Sequence, residues 1–171
     1  HDSGSDRIAE FAKDMQVDII VNVQGDEPLI DKNSLQKLVS TFKEDNDNEI
    51  DLVSLMKVIS TSSEIENPNN VKVVTDKNNF ALYFSRAPVP FSTEPNFKIK
   101  YFKHIGVYGF RKKSLVDFYN SKPSKLELIE KLEQLRYLEN GKKIKMVITD
   151  FDGIGIDTME DLINARKLIN D

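Results

Sequence analysis

The chain has 171 residues, 39% hydrophobic and 30% charged with a net charge of −4, the size and composition of one ordinary globular domain. It carries no cysteine and two histidines, which excludes disulfide scaffolds, thiolate metal sites, cysteine nucleophiles and multi-histidine metal centres. The acidic balance gives no field for nucleic acid or anionic membrane, and no apolar run approaches the roughly 18 residues of a membrane span, so a cytoplasmic location is expected.

The chain opens His1-Asp2-Ser3-Gly4 without Met and runs straight into a helical pattern, as a segment from inside a longer protein would. Ile8, Phe11, Ala12 and Met15 fall on one face of a helix over 5–15. Asp18 to Val23 is a short apolar, β-branched run that reads as a buried parallel strand. A second helix covers 32–45 with Leu35, Leu38, Val39 and Phe42 inward, and Asp51 to Val58 is a strand. Ser60 to Asn70 reads as loop. Val71 to Thr75 and Phe80 to Ser85 read as a hairpin around Asp76-Lys77-Asn78-Asn79. Pro88, Pro90 and Pro95 make 86–98 irregular, Tyr101 to Phe110 is a strand, and Lys112 to Asn120 a short helix. Ser124 and Glu127 have capping-box spacing and open a helix running to Asn140, with Gly141 as its C-terminal cap. Lys143 to Thr149 is a strand, and Thr158 opens a last helix with Leu162, Ile163, Ala165 and Leu168 inward. Strands alternating with helices predict one α/β domain over residues 1–171, a mainly parallel sheet with the hairpin as an insertion or edge.

Five places could carry chemistry. Asp26 and Glu27 in Gln24-Gly25-Asp26-Glu27-Pro28 follow a strand, where open α/β sheets bind ligands; paired acids beside a Gly suit Mg²⁺, and solvated acids in a loop fit equally well. Asp157 in Gly153-Ile154-Gly155-Ile156-Asp157-Thr158 is ordinary helix-capping chemistry taken alone, and a second metal carboxylate if it meets Asp26. On strand 101–110, His104, Gly106 and Tyr108 share a face, so the Gly leaves a gap between two hydrogen-bonding groups; a satisfied core histidine is the plainer reading. In helix 124–140, Glu133 falls at the edge of the arc of Leu126, Leu128, Ile129, Leu132 and Leu135, either paired with Arg136 or facing a ligand together with Gln134. Arg7 near a helix N-terminus and Arg86 at the hairpin's end are candidate anion ligands or plain surface charges.

Taken in order, these motifs resemble the 3-deoxy-manno-octulosonate cytidylyltransferases (CMP-Kdo synthetases). The resemblance rests on Ser3-Gly4-Ser5-Asp6-Arg7, Ile20-Val21-Asn22-Val23-Gln24-Gly25-Asp26-Glu27-Pro28 and Asn67-Pro68-Asn69-Asn70-Val71-Lys72-Val73-Val74. It continues through Ala81-Leu82-Tyr83-Phe84-Ser85-Arg86-Ala87, His104-Ile105-Gly106-Val107-Tyr108-Gly109, Leu132-Glu133-Gln134-Leu135-Arg136 and Gly155-Ile156-Asp157-Thr158. It implies a Rossmann-like nucleotidyltransferase fold acting on CTP and Kdo with Mg²⁺, for lipopolysaccharide biosynthesis, as a homodimer. It further implies Asp26 and Asp157 as catalytic metal ligands, and Arg7, Gln24, His104, Tyr108, Glu133 and Gln134 as the sugar pocket, with Arg7 on the Kdo carboxylate. The family's first strand and basic CTP-binding loop would precede residue 1, so the segment by itself is expected to be inactive and prone to associate. Pro90-Phe91 is followed by Ser92-Thr93-Glu94 where many members carry an Arg, one sugar contact fewer. The rival readings are a cytidylyltransferase for another acidic sugar, such as an amino-Kdo or a sialic acid, and an inactive sugar-binding or dimerisation fragment.

Overall fold

The computed structural model describes residues 4–23, 30–94, 98–151 and 159. The elements run α1 (Gly4–Ala12), β1 (Ile19–Val23), α2 (Lys32–Glu44), β2 (Leu52–Ile59), α3 (Ser62–Glu66), β3 (Lys72–Thr75), β4 (Ala81–Ser85), β5 (Tyr101–Arg111), α4 (Lys112–Asn120), α5 (Lys125–Glu130), α6 (Gln134–Glu139) and β6 (Ile144–Ile148). The strands form one sheet in the order β4-β3-β5-β2-β6, with β1 paired to β5.

The α/β class stands, but the sheet is mixed rather than mainly parallel among the described residues. β2 and β6 run parallel, while β5 lies antiparallel to β1, β2 and β3, and β3 to β4. β5 is the reason: with 11 residues it is the longest strand, and it enters the middle of the sheet against its neighbours' direction. β1 is accordingly not a buried parallel strand. Val21 and Val23 are 38% and 40% exposed, and the inward residue is Asn22.

The sheet separates two apolar clusters. On one face Leu52, Met56, Phe84, Phe110 and Met146 pack with Ala9, Ala12, Leu115, Phe118, Leu135 and Tyr137 from the helices. On the other, Val53, Leu55, Ile105 and Val107 pack under Leu38 and Phe42 of α2. The alternation along β2 and β5 sorts residues between the faces as period-2 strands must. Gly109 lies on the α2 face, where a Cβ would stand 2.4 Å from Leu38 and 2.8 Å from Phe42, so Gly here lets the helix close down on the sheet.

Three further expectations give way. α1 ends at Ala12, burying Ser5, Ala9 and Ala12, and leaves Phe11 and Met15 outside. The loop at 60–70 contains α3, capped by Thr61 and Glu64 in a reciprocal box. Helix 124–140 is two helices. Lys131 takes a left-handed φ of 57°, α5 stops at Glu130, and α6 restarts at Gln134. A constant 100° step therefore does not carry across the break, and Leu128 and Ile129 are exposed. Gly141, with φ at +71°, closes α6 as expected. Met159 is helical; the rest of the final helix lies outside the described residues.

Candidate functional site

β5 carries three of the residues singled out in the sequence. His104, Gly106 and Tyr108 share the face that carries Phe84 and Phe110, and the His104 and Tyr108 rings lie 5.4 Å apart. A Cβ on Gly106 would meet nothing within 4 Å, so there is open space over Gly106. The ladder with β2 is irregular here: Leu55 faces Ile105 but Ser54 faces Tyr108, so Gly106 and Val107 have no opposite number on β2. Asn22 of β1 faces Tyr108 from the other side. Asn22, Tyr108 and Ser54 thus form a polar row across three strands, on the face that also carries His104.

His104 is 7% exposed, held edge-on to Phe84 at 5.2 Å, with Nε2 2.9 Å from the Ser54 hydroxyl. Burial, reinforced by the charge of Lys103, pushes its pKa down to about 3. Unfolded, the ring would protonate near 6.5. Between those values the unfolded chain holds a proton that the folded chain refuses, so stability falls as pH drops through that window and is indifferent to this group above it. The slope contributed is at most about 1.4 kcal/mol per pH unit. Denaturant unfolding compared at pH 7 and 4.5 should show a steeper acid loss in the native sequence than in His104→Gln. Equal losses would mean that the ring protonates in the fold.

The break between α5 and α6 places Glu133 and Gln134. Glu133 is the N-cap residue of α6 but makes no side-chain cap bond; its Oε1 accepts from the Ser5 hydroxyl of α1 at 2.7 Å. Ser5 is 1% exposed, so this contact joins the first motif of the chain to the Leu132–Arg136 motif in the interior. Gln134 is 3% exposed and its Nε2 lacks a partner, as does the hydroxyl of Tyr137, whose ionisation is pushed up by burial and by Glu133. Buried donors without acceptors are rare enough to require a reason.

Arg136 does not leave the fold's interior to meet a ligand. It forks onto Glu127 at 2.7 and 2.5 Å, tying α5 to α6 across the break, and its guanidinium lies 3.9 Å over Phe118. Glu127 also accepts the Ser124 N–H. Arg86 likewise has a structural role: it donates to the carbonyls of Glu130 and Pro68, while Glu130 takes the Ser85 hydroxyl and the Arg86 N–H. The fully buried Lys72 donates to the carbonyls of Asn67 and Arg86, and burial lowers its pKa. Together they staple the hairpin's end to the Asn67-Pro68 loop and α5. Arg7 sits exposed on α1, two residues past Ser5. Gln24, Asp26 and Asp157 lie outside the described residues. Among the described residues, no group of three or more His, Cys, Asp or Glu could hold a metal ion.

Ser5, Ser54 and Tyr137 were not singled out from the sequence. Ser54 had a signal: it is the one polar residue in Leu52-Val53-Ser54-Leu55-Met56, and a hydroxyl inside a wholly buried strand must find a partner.

Comparison with known proteins extends the pattern. The cytidylyltransferase family profile matches residues 1–144. The 3-deoxy-manno-octulosonate cytidylyltransferase of Flavobacterium johnsoniae is 57% identical over 171 residues, covering 100% of this chain and 70% of the relative. The chain belongs to the 3-deoxy-manno-octulosonate cytidylyltransferase family. The Christiangramia forsetii member is 56% identical over 170 residues, covering 99% of this chain and 68% of its own. The solved structure of a CMP:2-keto-3-deoxy-manno-octonic acid synthetase complexed with CTP superposes with a TM-score of 0.92 at 35% identity, over 99% of this chain and 69% of that one. A 4-diphosphocytidyl-2C-methyl-D-erythritol synthase from Anaerococcus prevotii shares the fold at a TM-score of 0.60 and 14% identity, over 99% of this chain and 67% of that one. Within this family, the Rossmann-like nucleotidyltransferase class expected from the motifs holds, with the mixed sheet described above. No helix among the described residues is long and apolar enough to cross a membrane.

Proposed function

We propose that this chain acts in making CMP-Kdo and pyrophosphate from CTP and Kdo. The observation that carries this reading is the Ser5–Glu133 contact, which joins two motifs 128 residues apart next to the unsatisfied Gln134 amide. In the reaction the anomeric hydroxyl of Kdo attacks the α-phosphorus of CTP. A new P–O bond forms, the bond to the β-phosphate oxygen breaks, pyrophosphate leaves, and the hydroxyl proton passes to solvent. Catalysis of this kind is positioning together with neutralisation of phosphate charge. His104 and Tyr108 form the floor under the sugar, Glu133 and Gln134 its wall, and Gln24 a further polar contact. Arg7, exposed and forked, suits the carboxylate. Asp26 and Asp157 are hard oxygen donors of the kind that fits Mg²⁺, and they would hold it; when bound, the ion neutralises phosphate charge. We assign the reaction to the cytoplasm and the working enzyme to a homodimer, for which light scattering of the full gene product would give twice the chain mass.

The test is pyrophosphate release by the full gene product with CTP and Kdo. Release should require both, and Asp26→Asn and Asp157→Asn should each raise the Mg²⁺ concentration needed for half-maximal rate. Release with a sialic acid but not with Kdo would move the assignment to another acidic sugar.

A further inference from the structure

We infer that Ser54 is a positioning residue that fixes His104 in its Nε2–H tautomer, so that Nδ1 is presented as a hydrogen-bond acceptor for a sugar hydroxyl rather than as a cation for the sugar's carboxylate. The inference deepens the sugar-pocket reading above and rests on it.

Ser54 has one proton and three near neighbours. Its Oγ lies 2.9 Å from the carbonyl oxygen of Val107, 3.3 Å from that of Ile105 and 2.9 Å from Nε2 of His104. The two carbonyls can only accept, so the hydroxyl proton goes to them. The hydroxyl then has only lone pairs to offer the ring, and the ring nitrogen must donate. The tautomer of a histidine is set by the hydrogen bond its other nitrogen makes, so this network leaves Nδ1 unprotonated. The irregular ladder is what makes the arrangement possible. Because Gly106 and Val107 face no residue of β2, the chain of β5 turns its Ile105 and Val107 carbonyls to one hydroxyl. Ser54 is 0% exposed and His104 is gripped between Phe84 and Tyr108, so neither side chain has room to change partners. Burial keeps the ring neutral. A neutral ring with a lone pair beside the space at Gly106 recognises a hydroxyl donor.

The test labels the histidines of the full gene product with ¹⁵N and reads the ring nitrogens of His104, assigned by loss of the signal in His104→Gln. The native protein should show Nε2 protonated and Nδ1 bare at neutral pH. Ser54→Ala should populate both tautomers and raise KM for Kdo about 5- to 10-fold with kcat little changed, the scale of one neutral hydrogen bond. Ser54→Thr, which keeps the hydroxyl, should restore both readouts. An Nδ1–H tautomer in the native protein overturns the proposal, and this measurement stands even if Ser54→Ala does not fold. So does an unchanged tautomer and KM in a folded Ser54→Ala. If His104→Gln leaves KM for Kdo unchanged while the native tautomer is as expected, the sugar-pocket reading fails and the tautomer assignment survives, so the two are told apart.

Discussion

Glu127→Ala should lower the stability of the full gene product by about 3–5 kcal/mol, the usual result of removing one partner of a buried ion pair. Arg136 is 3% exposed and Glu127 11% at their side chains, so water screens the pair poorly. Without Glu127, the guanidinium loses both bonds of its fork and retains the 3.4 and 3.3 Å contacts to the carbonyls of Phe118 and Ser121 and its place over Phe118. Those cannot neutralise its charge. The Ser124 N–H at the start of α5 loses its acceptor as well. Replacing both members of the pair with apolar residues of similar volume should recover much of the loss, because the cost lies in burying a charge that has lost its bidentate carboxylate rather than in the missing bond. Urea unfolding at constant m-value reads the effect. A loss under about 1 kcal/mol would mean that the pair behaves as an exposed one.

Glu133→Ala should behave in the opposite way, sparing the fold and damaging the reaction. Its side chain does not cap α6, and the partner it is seen to hold is the Ser5 hydroxyl. Removing it leaves the buried Ser5 hydroxyl without this acceptor, a cost of about 1–3 kcal/mol, below that expected for Glu127→Ala. In the proposed sugar pocket the carboxylate would accept from a ligand hydroxyl, a charge-assisted bond worth about 1.5–3 kcal/mol. We expect kcat/KM for Kdo to fall roughly 10- to 150-fold, with KM for CTP unchanged. If melting falls sharply while kcat/KM holds, Glu133 is a structural residue of the α5–α6 break and the sugar wall must be sought elsewhere.

The contrast between these two acids shows where sequence reasoning reaches its limit. Both stand in one apparently continuous helical pattern, and spacing alone pairs Arg136 with Glu133 at i, i+3. The left-handed residue at Lys131 is invisible in that pattern, since lysine has no preference for the conformation. It turns Arg136 to Glu127 and frees Glu133 for Ser5.

What the sequence determined by itself is substantial: the six strands and the helices α1, α2 and α4 within a few residues, the hairpin, the open space at Gly106, and a motif order that places the chain in its family. These depend on local periodicity, turn residues and spacing, which are properties of neighbours along the chain. Only the tertiary structure decided the direction of β5, the polar row Asn22–Tyr108–Ser54, the neutral state of His104 and the roles of Lys72 and Arg86 as staples. Each of those turns on which distant groups share a buried space. There a charge or hydroxyl must be matched by whatever the fold brings to it, and the cost of leaving it unmatched depends on burial, a quantity that belongs to no single stretch of sequence.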